Sequence, residues 1–140
     1  MKDHSFRNLG LLLLRVGIGV VFTVFGFDKL IYPFRWVGWI PNVVRQKVEA
    51  SHLLTLFGFL KIQGVVEGLL GLFLLFGFRT RLSAIFCAAI LAGIVYFLKW
   101  DEIGIRDTGL LFSSLALFCF GGGEWSFDEW YKIKSQRRKK

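Results

Sequence analysis

A chain of 140 residues has room for one compact domain, and its 54% hydrophobic residues with a mean hydropathy of +0.55 exceed the apolar share of ordinary soluble domains. That balance excludes a soluble globular domain and points to a membrane protein. The net charge of +8 raises nucleic acid as a partner, but basic residues beside apolar spans report membrane orientation, and a basic tail alone is the weakest part of a nucleic-acid footprint. Membrane lipids are the expected partners, and no nucleic acid is.

A helix needs about 20 mostly apolar residues to cross a hydrocarbon core of roughly 30 Å. Four stretches come near that length: residues 9–27, 53–78, 82–98 and 103–120. The expected fold is all-α, an integral membrane four-helix bundle over residues 1–128 with one long extracytoplasmic loop, followed by a short basic tail, 129–140. The first stretch follows the basic residues Lys2 and Arg7 like a secretory signal, but Arg15 interrupts it and no small-x-small cleavage site follows. A retained helix is expected.

The connection from Asp28 to His52 is the only long one and holds both prolines, Pro33 and Pro41, which exclude a continuous helix. After Pro41, Val43, Val44 and Val48 set against Arg45, Gln46, Lys47 and Glu49 predict a short helix lying in the membrane interface. A linker and a lid over a site both fit that segment. GFRTR and KWDE are tight turns between the later spans, and GGGEW stops the last helix ahead of a short surface helix. In the third span Ala84, Ala88 and Ala92 form a small-residue seam of the kind that packs two helices closely.

Four spans put both termini on one side, together with Arg79, Arg81 and the tail cations, against Lys29, Arg35, Arg45, Lys47 and Lys99 on the other. The positive-inside rule then makes both termini cytoplasmic. Tryptophan prefers the headgroup level, and all five lie outside the spans: Trp36, Trp39 and Trp100 at the outer face, Trp125 and Trp130 at the inner one.

A charge at mid-bilayer costs about 2.5 to 3.5 kcal/mol on insertion scales, so it faces the bundle and pairs. Gly64, Glu67, Gly68 and Gly71 share one stripe of the second helix, and Arg15, Gly19, Phe22, Gly26 and Lys29 share one stripe of the first. By depth, an Arg15–Glu67 pair is the leading geometric expectation. A second cluster of Asp28, Lys29, Lys61, Arg106 and Asp107 is expected to converge towards the outside. Glu67, Arg15 and Asp107 are the candidate catalytic or proton-relaying residues, and Lys29, Asp28, Lys61 and Arg106 the candidate ligand-binding ones. Charge pairing that merely fixes helix register explains the same residues. Cys87 and Cys119 show no C-x-x-C spacing, His4 and His52 have no partner at metal-ligand spacing, and there is no nucleotide-binding fingerprint. No metal site is expected.

The blocks LLLRVGIGVVFTVFGFDKL, GVVEGLLGLFLLFGFRTRLSA and GIRDTGLL make the chain, from about Leu9 to Asp128, similar to the DoxX family of small four-helix membrane proteins. Some relatives are subunits of a thiosulfate:quinone oxidoreductase, and others associate with superoxide dismutase and a thiosulfate sulfurtransferase. The resemblance implies a redox-associated membrane subunit in a bacterial or archaeal plasma membrane, with a quinone as possible ligand and soluble redox proteins or further copies of the chain as partners. It leaves open whether the chain alone is an enzyme. A small transporter for a polar or anionic solute, and a non-catalytic scaffold for soluble proteins, are the alternatives.

Overall fold

The computed structural model describes residues 2–98 and 102–137, with side chains from Ser5 onward. Trp100, the first three residues of KWDE and the terminal Arg138, Lys139 and Lys140 lie outside the described residues. Among the described residues six α-helices follow in order: α1 (Lys2–Ile31), α2 (Asn42–Ala50), α3 (Leu56–Phe76), α4 (Thr80–Leu98), α5 (Glu102–Phe120) and α6 (Phe127–Arg137), with a 3-10 turn, Pro33–Trp39, between α1 and α2. Four of them, spanning Ser5–Ile31, Leu56–Phe76, Thr80–Leu98 and Glu102–Phe120, are long and apolar enough to cross a membrane. Large apolar side chains such as Val24, Ile62, Phe86 and Phe112 are exposed on the outside of the bundle, as lipid contact requires. The chain is an integral membrane protein built as an all-α bundle.

The helix ends follow local chemistry. Pro33 opens the 3-10 turn, where its fixed φ suits a first helical position. The second span starts at Leu56 rather than Leu53, because the Thr55 hydroxyl accepts from the Gly58 N–H at 3.1 Å and so sets the N-cap. It stops at Gly77, whose φ of +68° allows the Phe78 N–H to reach back to the Phe73 carbonyl at 2.8 Å, a glycine-terminated helix end. The Asp128 carboxylate then accepts from the N–H groups of Arg79 and Thr80, both at 2.7 Å, capping α4 from the start of α6. The first span runs to Ile31, one turn beyond the expected end at Phe27.

The helices pack as two tight pairs, α1 on α3 and α4 on α5, and the pairs meet each other more sparsely. Glycine is the cause on the α1–α3 side. A Cβ on Gly26 would collide with the backbone of Gly68, one on Gly64 would sit 2.7 Å from the Gly26 carbonyl oxygen, and one on Gly71 would sit 2.5 Å from the Thr23 N–H nitrogen. The two antiparallel backbones therefore touch, as small residues permit inside membranes. On α4, Ala84 and Ala88 are buried and Ala92 is exposed, so the alanine seam is two residues long. The packed core gathers Ile18, Leu74, Ala84, Cys87 and Leu117 in the half of the bundle nearer α6. The other half, nearer the 3-10 turn and α2, holds the cavity.

Candidate functional site

That cavity has a volume of about 600 Å³ and lies between the two helix pairs, within the range of small-molecule sites. Its walls are mostly apolar, from Phe22, Phe59, Leu91, Ile94 and Leu110 among others. Its polar groups come from three helices: Lys29 of α1, Gln63 and Glu67 of α3, and Arg106 and Asp107 of α5. Trp36, Trp39, Ile40, Pro41 and Val44 close the end towards the loop. Of the two readings of that segment, the lid is the one the geometry supports.

At the centre, Lys29 Nζ donates to both carboxylate oxygens of Glu67 at 2.6 Å, and the two side chains are only 6% and 4% exposed. Gln63, one helical turn before Glu67, donates from Nε2 to Oε1 at 2.9 Å. The carboxylate thus accepts three hydrogen bonds, from two side chains, in a site with few other polar atoms, which is what a buried charge needs to be tolerated. The Lys29 ammonium also lies 4.7 Å from the centre of the Trp36 ring, a cation–π contact. Trp36 in turn donates from Nε1 to Asp28 at 2.7 Å, and Arg35 lies 3.5 Å from the same carboxylate. Asp28 therefore fixes the lid to the end of α1 and does not line the cavity.

On the facing pair, Arg106 and Asp107 bind each other, Nε and Nη2 lying 2.9 and 2.8 Å from Oδ1. Asp107 is buried while the Arg106 side chain is 53% exposed. The Arg106 guanidinium lies 5.5 Å from the ring centre of Phe25, whose edge meets Trp36. Lys29, Arg106 and Asp107 of the expected outer cluster are thus brought to one cavity. Lys61 is exposed and lies outside it.

The structure corrects the expected Arg15–Glu67 pair. Arg15 is buried at 3% exposure, but Nη1 donates to the Gly122 carbonyl at 3.2 Å and Nη2 to that of Trp125 at 2.8 Å. Its guanidinium packs against Gly77, where a Cβ would strike it. Gly77 lies ten residues beyond Glu67 on α3, about 15 Å along the axis. The reason is register: the contacts of Gly26 with Gly64 and Gly68 place Lys29, not Arg15, beside Glu67. Arg15 ties the α5–α6 turn to α1, far from the cavity.

Sequence reasoning missed Gln63, Phe25 and Trp36 as site residues. For Gln63 a signal existed, since side chains four apart on a helix are neighbours. For Trp36 none did, because the folding of the turn after Pro33 decides where the ring goes. Cys87 is buried in the core and Cys119 is exposed, and both are free.

No curated protein and no solved structure matches the chain. The model of the DoxX family matches residues 10–100, more than half of the chain, including most of α1, all of α3 and α4, and the Lys29–Glu67 pair. The chain belongs to the DoxX family.

Proposed function

We propose that this protein is a redox-associated membrane subunit that binds the head group of a quinone or a similar lipophilic molecule in the cavity between its helix pairs. The observation that carries the reading is the ion pair of Lys29 and Glu67, held with Gln63 at the wall of an otherwise apolar cavity of about 600 Å³. Intramembrane ionisable residues that face a cavity are functional candidates by default. The residues present suit such a group: Phe22, Phe25 and Trp36 offer aromatic walls, and Lys29 and Gln63 carry N–H donors of the kind that meet carbonyl oxygens. When bound, a quinone supplies two-electron, two-proton acceptor chemistry. Glu67 and Asp107 are the carboxylates able to hold or pass a proton there, and Lys29 keeps the Glu67 carboxylate oriented.

Soluble redox proteins acting at the membrane face complete this reading, since the chain carries none of the cofactor motifs that perform electron transfer. The distribution of lysine and arginine supports a cytoplasmic location for both termini in a bacterial or archaeal plasma membrane.

The test is mass spectrometry of lipophilic molecules extracted from protein purified in mild detergent, for the native chain, Glu67→Gln and Gln63→Leu, each checked for native-like melting. A quinone retained by the native protein and depleted in folded variants supports the site. Equal retention in all three places the ligand elsewhere, and no retained ligand in the native protein rejects the reading.

A further inference from the structure

A groove on the side of the bundle adjoins the cavity. Between α1 and α5 a groove of about 440 Å³ is lined by Val21, Phe25, Arg106, Gly109 and Leu110. All of these except Gly109 also line the cavity of Lys29 and Glu67, so the two spaces share a wall. The gap follows from the packing, since α1 is committed to α3 and α5 to α4.

Depth decides what the groove faces. From Glu102 to Gly109 is about 10 Å along α5, and from Ile31 back to Val21 is about 15 Å along α1. With a hydrocarbon core of roughly 30 Å, an exposed groove at that level meets acyl chains rather than water. At the loop end, by contrast, Trp36 and Trp39 line the cavity.

Two residues at the opening carry the inference. Gly109 is exposed, and a Cβ there would meet no atom within 4 Å, so close helix packing does not require glycine at this position. Arg106 is held across the opening by Asp107 and by the face of Phe25. Of its donor nitrogens, Nη1 has no partner among the described residues. Asp107 supplies the pairing that an arginine within a span requires, and Nη1 is left to meet an incoming group.

We infer that the ligand is an amphiphile with a polar head and a long apolar chain, and that it passes from the bilayer into the cavity between α1 and α5. Gly109 keeps the passage open, Arg106 meets the head on its way in, and the chain stays in the groove. This rests on the ligand reading given above and adds the route and the need for a chain.

The test uses the full chain in nanodiscs and follows uptake and release of decylubiquinone in the native protein and in Gly109→Ala, Gly109→Leu and Gly109→Phe. Val65→Phe, on the exposed face of α3, is the control for added bulk. Uptake and release are expected to slow with side-chain size, by about tenfold or more for phenylalanine, with Val65→Phe unchanged and melting native-like throughout. The chainless quinone is expected to bind the native protein at least about tenfold more weakly after correction for partitioning. Saturable binding with native exchange rates in Gly109→Phe overturns the lateral route, equal affinity for the chainless probe overturns the need for a chain, and either leaves the ligand reading standing. Absence of saturable decylubiquinone binding to the native protein overturns both.

Discussion

The ammonium of Lys29 and the carboxylate of Glu67 meet at 2.6 Å between two helices whose backbones are in contact at Gly26, Gly64 and Gly68. The pair and the glycine contact depend on each other: only at this helix separation and register does a lysine near the end of α1 reach a carboxylate in the middle of α3.

Removing one member of a buried pair leaves the other charge uncompensated, at a cost of about 3 to 5 kcal/mol, whereas replacing both by apolar residues is often neutral. Lys29→Met and Glu67→Leu are each expected to destabilise the bundle by that order, and the double variant to recover most of the loss. Reversible unfolding in mixed micelles reads the cycle. Additive losses in the double variant would show that the two charges do not act as a pair.

Gly26 and Gly68 face each other but are not equivalent. A Cβ on Gly26 would strike the backbone of Gly68, whereas a Cβ on Gly68 would meet nothing within 4 Å. Gly26→Ala is expected to destabilise by about 1 to 3 kcal/mol, the usual range for overpacking, and Gly68→Ala to remain close to native in the same unfolding measurement. Equal effects would contradict the register.

Arg15 acts at the opposite end. Losing its charge-assisted hydrogen bonds to the carbonyls of Gly122 and Trp125 is expected to cost about 1.5 to 3 kcal/mol in Arg15→Met and to raise hydrogen exchange over residues 121–137. Ligand retention in the cavity should be unchanged. A variant that loses ligand while α6 stays protected would return Arg15 to the site.

Asp128 offers a separate check on how α6 is docked. Because its carboxylate accepts from the N–H groups of Arg79 and Thr80, Asp128→Ala is expected to cost about 0.5 to 2 kcal/mol, as for a lost N-cap. Amide exchange should quicken in the first turn of α4. Unchanged exchange at both amides would show that α4 does not depend on this cap.

The spans and the two glycine stripes were legible because hydropathy and helical period survive folding unchanged. All five residues of the α1 stripe, Arg15, Gly19, Phe22, Gly26 and Lys29, are buried. Pairing across helices was less legible. Depth measured from the cytoplasmic ends favoured Arg15 for Glu67, while stopping the first span at Phe27 left Lys29 out, although the helix runs to Ile31. Lys29 then lies inside the helix rather than beyond it. Register is set by which glycines face each other, a property of two helices that neither sequence shows alone. Lys61 was placed in the cluster by depth but stands exposed, since depth says nothing of the face a residue occupies.

Photolabelling reads directly whether the cavity of Lys29 and Glu67 holds a lipophilic head group. The protein in nanodiscs is irradiated with an azido-quinone, with and without excess unlabelled quinone, and the labelled peptides are mapped by mass spectrometry. Competable labelling is expected to be confined to the segments that line the cavity, residues 21–44, 59–67, 89–98 and 103–110. Labelling that excess quinone does not reduce, or that falls on lipid-facing residues such as Phe86 and Phe112, would contradict it.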